Sequence, residues 1–171
     1  MISFCTVCYN RTEHIKQTYK KNIETAKGNE FILVNYGGSP GLDEFVGTIE
    51  YDNFKYIKVD AEYNISKAKN VSHYAGKGDI LFCLDADTYI MEQCMDNLNN
   101  EFKRGYYFCH PYADRTPLAI WRDDFYHVGG WNESIKDRGE DMDMAMRLKG
   151  MGLISHYPVD SSRTIKHINH D

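Results

Sequence analysis

Short apolar runs alternate with amphipathic segments along the first half of the chain. The apolar runs lack polar alternation and contain many β-branched and aromatic residues, which is typical of buried strands. They predict strands at residues 2–8, 31–35, 56–59 and 80–84. Because helical segments of crossover length separate these runs, we predict an α/β domain with a mostly parallel central sheet.

Apolar residues three and four positions apart define the helices between and after these strands. We expect Thr12 to cap the first helix and Ser66 to open another, since small hydroxyl side chains favour helix N-termini. The apolar face of the first helix comprises Ile15, Tyr19, Ile23 and Ala26. A helix after the fourth strand has Met91, Met95, Leu98 and Phe102 on one face. Both faces are expected to fill the core.

The second half of the chain carries weaker signals. Strands are predicted at residues 106–109, 118–121 and 153–157, with a turn at 129–133 and a helix that Gly139 opens. A polar tail completes the sequence. Since we find no internal repeat, low-complexity segment or linker, we predict that residues 1–171 form a single domain.

Composition and charge argue against several classes of function. The net charge is −5 and no dense Lys/Arg stripe is present, which disfavours binding to nucleic acid or to anionic membranes. No apolar run approaches the roughly 20 residues of a membrane span, and the first residues lack the pattern of a signal peptide. Cys5 and Cys8 have a CxxC spacing, but the five cysteines lie mostly in apolar runs. We therefore expect reduced, buried thiols in a cytoplasmic protein.

Two aspartates close the fourth predicted strand. Because side chains alternate along an extended chain, Asp85 and Asp87 are expected to project to the same side where the strand leaves the sheet. Ligands bind at that carboxyl edge in open α/β sheets. Two carboxylates there suit Mg²⁺ or Mn²⁺ and leave positions for phosphate oxygens. The alternative is that both are solvated loop residues.

Six short motifs, in order, resemble those of glycosyltransferase family 2 and its GT-A relatives. They are Thr6-Val-Cys-Tyr-Asn-Arg11, Val34-Asn-Tyr-Gly-Gly-Ser39, Ser66-Lys-Ala-Lys-Asn70, Leu84-Asp-Ala-Asp87, Gly129-Gly-Trp-Asn-Glu133 and Gly139-Glu-Asp141. The resemblance implies a GT-A (Rossmann-like) fold, which is a three-layer α/β/α sandwich. It also implies a metal-dependent, inverting hexosyltransferase that moves a sugar from a nucleoside-diphosphate sugar, with a UDP-sugar favoured, to the hydroxyl of a carbohydrate or other acceptor.

The resemblance assigns residues to the donor. Those that match its nucleotide-sugar positions are Thr6, Tyr9, Arg11, Asn35, Lys69 and Asp85. Asn35 stands where the family usually has an aspartate that binds uracil, so it either reads a base edge or shapes the turn before two glycines. Lys69 replaces an arginine; it either offsets diphosphate charge or is an ordinary lysine on the helix surface.

The resemblance also assigns the metal and the acceptor side. Asp87, with Asp85, matches the metal ligands, and in related galactosyltransferases a tail histidine joins them; His167 and then His170 are the candidates, which favours Mn²⁺ over Mg²⁺. The catalytic and acceptor-side matches are as follows: Asp141 for the base that takes the acceptor's proton, Glu140 for a contact with the acceptor, and Trp131 for an aromatic that stacks on a sugar. The alternatives are charge capping of a helix for the two acids and core packing for the tryptophan.

Three other functions compete with this interpretation. A phosphohydrolase of the haloacid dehalogenase type also begins with a strand and Asp-x-Asp, but it needs Thr or Val where this chain has Tyr89. A sugar nucleotidyltransferase needs a glycine-rich basic loop after the first strand, which residues 8–11 do not form. A catalytically inactive GT-A domain that only binds a nucleotide or a partner would be expected to lack Asp87 or Asp141.

Overall fold

The structure, a computed structural model, describes residues 1–109, 117–156 and 165–168. Its elements in chain order are β1 (Ile2–Cys8), α1 (Thr12–Thr25), β2 (Glu30–Tyr36), α2 (Leu42–Val46), β3 (Phe54–Val59), α3 (Ile65–Tyr74), β4 (Ile80–Cys83), β5 (Thr88–Ile90), α4 (Glu92–Asn100), β6 (Tyr106–Phe108), β7 (Leu118–Trp121), α5 (Arg122–Val128), α6 (Glu140–Gly150), β8 (Ile154–His156) and β9 (Ile165–His167). The predicted α/β class is confirmed.

Seven strands form the central sheet in the order β3-β2-β1-β4-β7-β6-β8. The pairs β1–β2, β2–β3, β1–β4 and β6–β8 are parallel, whereas β7 runs antiparallel to both neighbours. The winding reverses between β1 and β4, because β2 and β3 extend the sheet on one side and β4 on the other. Such a switch point leaves a crevice at the carboxyl ends of the two strands.

Apolar side chains cover both faces of the sheet. Along β1, Phe4 belongs to the cluster beneath α1, whereas its neighbour Cys5 belongs to the cluster beneath α3. The Phe4 ring stacks on Phe31 of β2, with centroids 4.9 Å apart. Because successive strand residues point to opposite faces, an apolar run without alternation is what a sheet covered by helices on both sides requires.

Two predicted helix starts differ from the observed ones. Thr12 is the first residue of α1 and caps nothing; its hydroxyl donates to the Pro40 carbonyl instead, at 2.8 Å. Helix α3 is capped by Asn64, whose side-chain oxygen accepts from the Lys67 amide at 2.9 Å. Ser66 lies one residue inside that helix and donates to the Ile135 carbonyl at 2.7 Å. Both hydroxyls thus connect helices to loops.

Three further observations concern the cysteines, the elements that were not predicted and the lengths of the helices. The five cysteines are buried and none forms a disulfide, as expected. Three elements were not predicted, namely β5, β9 and α5. None of the helices in the described ranges combines the length and the apolar character that a membrane crossing needs.

Candidate active site

A cleft of about 430 Å³ opens at the carboxyl edge of the sheet, over the switch point between β1 and β4. Its lining residues are Val7, Tyr9, Arg11, Tyr63, Asp85, Ala86, Asp87 and His167. Asp85 and Asp87 therefore reach the same cavity, as strand alternation predicted. Two tyrosine rings, an arginine and two carboxylates share a space large enough for part of a nucleotide.

Helix α1 fixes the segment that carries the two aspartates. The Thr18 hydroxyl donates to the carbonyl of Ala86 at 2.9 Å. Asn22 donates to the Thr88 carbonyl and accepts from the Ile90 amide, both at 2.8 Å. Sequence reasoning missed these two supporting residues. Their signal was a pair of polar side chains, four residues apart, on the buried helix face that also carries Ile15, Tyr19 and Ile23.

The C-terminal part of the described chain returns to the same place. Strand β9 pairs antiparallel with β5, and His167 lies opposite Thr88. The His167 Nδ1 atom is 3.7 Å from Asp87 Oδ1 and 3.1 Å from the Thr88 hydroxyl oxygen. Contact with the Asp87 carboxylate raises the pKa of His167. His170, the other tail histidine of the sequence prediction, lies outside the described residues.

The side chains at this edge suit a divalent cation in type. Asp85 and Asp87 offer carboxylate oxygens, and His167 offers an imidazole nitrogen, a combination that favours Mn²⁺ over Mg²⁺. Within residues 1–109, 117–156 and 165–168, no three His, Cys, Asp or Glu side chains are grouped closely enough to hold a metal ion. The protein thus supplies a partial ligand set, which such cations commonly complete with phosphate oxygens and water.

Aromatic rings form one wall of the cleft. Tyr9 and Tyr63 stack with their centroids 3.9 Å apart and their planes at 10°. Gly37 lies close to Tyr9, since a Cβ there would lie 3.4 Å from the ring and 3.1 Å from the Ala61 carbonyl oxygen. The φ of Gly37 is +80°, so glycine is required for both reasons. Tyr63 was not predicted, and no motif in the sequence distinguishes it.

Two residues assigned to the nucleotide are buried beneath the cleft. Thr6 is fully buried and Asn35 is 1% exposed. The Asn35 amide nitrogen donates to the Tyr56 hydroxyl at 2.9 Å, and its oxygen accepts from the Ser39 backbone amide at 2.8 Å. These contacts favour the interpretation of Asn35 as a residue that shapes the loop after β2. A direct contact of either residue with the base stays a prediction.

Lys69, Glu140 and Trp131 form one buried group beside the cleft. The Lys69 ammonium is 2.6 Å from Glu140 Oε1 and 4.5 Å from the centroid of the Trp131 ring. The three residues are 4%, 8% and 2% exposed, respectively. This placement favours the core-packing alternative for Trp131. It also excludes an ordinary surface position for Lys69. Contacts of Lys69 with a diphosphate, and of Glu140 and Trp131 with an acceptor, stay predictions.

Asp141 lies at the start of α6, where the sequence predicted it. Gly139 precedes the helix in the left-handed conformation, with φ +92°, and no side chain caps the first turn. Asp141 is partly exposed, and its carboxylate accepts a hydrogen bond from the backbone amide of Met142 at 2.9 Å.

Four charged side chains act on the thiol of Cys83, the last residue of β4. Burial raises the pKa of Cys83 to about 12, and the charges that act on this thiol belong to Lys69, Asp85, Glu140 and Asp141. These four residues come from α3, from the segment after β4 and from α6. These four charged side chains therefore lie near the end of β4, where Cys83 is the last residue.

Comparisons with known proteins agree with this geometry. The family model for Glycosyl transferase family 2 matches residues 3–159. A poly-beta-1,6-N-acetyl-D-glucosamine synthase of Staphylococcus aureus (strain COL) is 31% identical over 106 residues, which cover 60% of this chain and 25% of that protein. The chain thus spans about a quarter of the length of the curated relatives it matches.

Solved structures share the fold at low sequence identity. S. aureus TarS 1-349 in complex with UDP-GlcNAc superimposes with a TM-score of 0.83 at 11% identity, over 99% of this chain and 59% of that one. The mannosyltransferase PcManGT from Pyrobaculum calidifontis, in complex with GDP-Man and Mn2+, gives a TM-score of 0.77 at 16% identity, over 93% and 55%. These similarities confirm the GT-A architecture, and the family match covers nearly the whole sequence: the chain belongs to glycosyltransferase family 2.

Proposed function

We propose that this protein is a metal-dependent, inverting glycosyltransferase that uses a nucleoside-diphosphate sugar. The observation that carries the proposal is the pair Asp85 and Asp87 in one cleft at the switch point of a family 2 sheet, with Asp141 near the same strand end. A UDP-sugar is the favoured donor. UDP-GlcNAc is the first to test, because one relative is named for an N-acetylglucosamine polymer and one structural neighbour holds UDP-GlcNAc.

The donor is held over the carboxyl edge of the sheet. Asp85, Asp87 and His167 are the residues that would hold a divalent cation, with Mn²⁺ favoured over Mg²⁺. When bound, the cation supplies charge neutralisation to the diphosphate and so makes it a better leaving group. Arg11 lies in the same cleft and adds a fixed positive charge for phosphate. Tyr9 provides an aromatic surface for the nucleoside.

Transfer requires a base on the acceptor side. In a single displacement, the acceptor oxygen bonds to the sugar's anomeric carbon while the bond from that carbon to the diphosphate breaks. Asp141 accepts the acceptor's proton, the nucleoside diphosphate leaves with the bonding electrons, and the anomeric configuration inverts. The partly exposed carboxylate at the uncapped start of α6 is accessible for this role.

The release of UDP from UDP-GlcNAc, with N-acetylglucosamine oligosaccharides as acceptors, tests this proposal. We expect turnover by the wild type and a loss of roughly a hundredfold or more in Asp141→Asn, the scale of a general base. Asp124→Asn is the matched control, because it removes an acid from the first turn of α5 without touching the cleft. If Asp141→Asn keeps wild-type turnover, the base is elsewhere. If the wild type binds donors without turnover, the protein is an inactive nucleotide-binding domain.

We also propose that residues 1–171 act as one catalytic domain. The central sheet supports this, because its strands come from both halves of the described chain, from β1 to β8. The acceptor is a carbohydrate or another hydroxyl compound.

A further inference from the structure

Lys69 and Glu140 connect two helices that flank the end of β4. Lys69 lies on α3 and Glu140 is the first residue of α6, and the two side chains are separated by 71 positions in sequence. Their charged atoms are 2.6 Å apart, and the side chains retain only 5% and 10% of their exposure. The pair is therefore a specific, desolvated contact rather than a surface ion pair.

The surroundings of the Lys69 ammonium leave little room for a ligand. Glu140 occupies one side and the Trp131 ring another, at 4.5 Å from its centroid. Lys69 is 4% exposed and does not line the cleft that holds Asp85 and Asp87. A phosphate at this ammonium would compete with the Glu140 carboxylate, and a carboxylate that loses its partner while buried carries a high energetic cost.

The start of α6 has little side-chain support within its first turn, where the Asp141 carboxylate accepts from the adjacent Met142 amide at 2.9 Å. Gly139 is left-handed and no side chain caps the helix. Further along the helix, Asn132 donates to Asp143 at 3.4 Å, and Arg147 donates to the carbonyls of Val128 and Gly130. Lys69 is the partner of the Glu140 side chain, which directly precedes Asp141 in the helix. A base displaced by about 1 Å can lose a factor of a hundred in rate.

We infer that Lys69 is a positioning residue: through Glu140 it fixes the start of α6 so that Asp141 faces the acceptor, and it does not bind the donor diphosphate. The inference rests on the proposed function. It replaces the role that the sequence resemblance assigned to Lys69. It also means that Arg11, rather than Lys69, is the cation in the cleft that contacts the diphosphate.

The test separates donor affinity from turnover. The variant Lys69→Met with Glu140→Gln removes both charges, so no buried carboxylate is left alone. We expect its UDP affinity with Mn²⁺, measured by calorimetry, to match the wild type, while UDP release from UDP-GlcNAc falls roughly a hundredfold. Lys69→Arg retains the charge and should restore part of the turnover. Lys67→Met changes an exposed lysine on the same helix and should alter neither quantity.

Each other outcome overturns the inference in a recognisable way. A UDP affinity at least about tenfold weaker in the double variant would show that Lys69 is a phosphate ligand, since that is the worth of a charge-assisted hydrogen bond. Unchanged turnover would show that the pair only stabilises the fold. If the wild type itself neither binds UDP nor releases it from UDP-GlcNAc, the proposed function fails and the inference falls with it.

Discussion

His73 illustrates how single side chains in the core carry measurable consequences. It is fully buried on α3, stacks on Phe125 with centroids 5.1 Å apart, and meets Trp131 edge-on. Its Nδ1 atom is 2.7 Å from the Lys69 carbonyl oxygen, whereas Nε2 has no hydrogen-bond partner within the described residues. Burial lowers the pKa of His73 from 6.5 to about 3, so the ring is neutral in the folded protein.

This pKa predicts a loss of stability in acid. The unfolded chain binds a proton on His73 below pH 6.5, and the folded protein does so only near pH 3. The contribution of His73 to the free energy of unfolding is therefore complete above pH 6.5 and decreases as the pH falls from 6.5 towards 3. At pH 5 the loss amounts to about 2 kcal/mol in the free energy of unfolding. Urea unfolding between pH 8 and pH 5 measures it.

His73→Gln is the control for that measurement. Glutamine can still donate to the Lys69 carbonyl but does not titrate. We expect the variant's free energy of unfolding to fall less steeply with decreasing pH than that of the wild type. Parallel curves for the two proteins would show that His73 is not the titrating group.

Among the elements, the turn at residues 129–133 is the one that joins the two halves of the candidate site. Asn70 of α3 donates to the Trp131 carbonyl at 3.0 Å and accepts from the Trp131 amide at 2.8 Å. The Asn64 side chain adds a bond to the Glu133 carbonyl at 3.1 Å. Helix α3, which carries Lys69, thus holds the turn that leads to α6.

Two adjacent glycines allow this docking to be tested. Both have positive φ, but a Cβ on Gly130 would lie 2.5 Å from the Tyr74 hydroxyl oxygen and 2.8 Å from Asn70 Oδ1, whereas one on Gly129 meets nothing within 4 Å. In Gly129→Ala the free energy of unfolding should therefore fall only by the cost of placing alanine in the left-handed conformation, about 1–2 kcal/mol. In Gly130→Ala the free energy of unfolding should fall by about 1–3 kcal/mol more, because Asn70 cannot move away from the new Cβ without breaking its hydrogen bonds to the turn. Urea unfolding of both variants compares them, and equal losses would contradict the close packing.

The elements that the sequence predicted are those with strong local patterns. Strands β1, β2 and β4 are buried nearly throughout, so their apolar runs are unambiguous. Strands β5 and β9 have three residues each and exist through their pairing across the length of the chain, which no local pattern encodes. Helix α5, by contrast, has sequence features that favour a helix, namely two acidic residues in its first turn and a glycine, Gly129, at its C-terminal end.

For the molecule as a whole, the strand order determines what the candidate site contains. Because β1 lies between β2 and β4, the loop after β1 and the segment after β4 open into the same crevice. Strand β9 adds His167 to this crevice, and α6 carries Asp141, whose charge acts on Cys83 at the end of β4. The residues proposed for the donor and for the acceptor thus come from different elements near a single strand end.

The sequence predicted the position of the site better than its contacts. Asp85, Asp87, Tyr9 and Arg11 line one cleft at the carboxyl edge, where strand periodicity and motif order put them, and their contacts with a donor stay predictions. The partner of Lys69 was not predictable, since an ion pair between residues 71 positions apart depends on how two helices pack. The same holds for Asn35, whose side-chain amide donates a hydrogen bond to Tyr56, 21 positions away in sequence.

The most direct test of the proposed function is a calorimetric titration of UDP into the protein, with Mn²⁺ and then with a chelator. We expect binding that requires Mn²⁺ in the wild type and in Asp96→Ala, which removes an exposed acid on α4, and no such binding in Asp87→Ala with its fold intact. Binding that is equally strong with the chelator, or unchanged in Asp87→Ala, would contradict the role of the aspartate pair. A failure of UDP, GDP, CDP and dTDP alike to bind would contradict the nucleotide-sugar function itself.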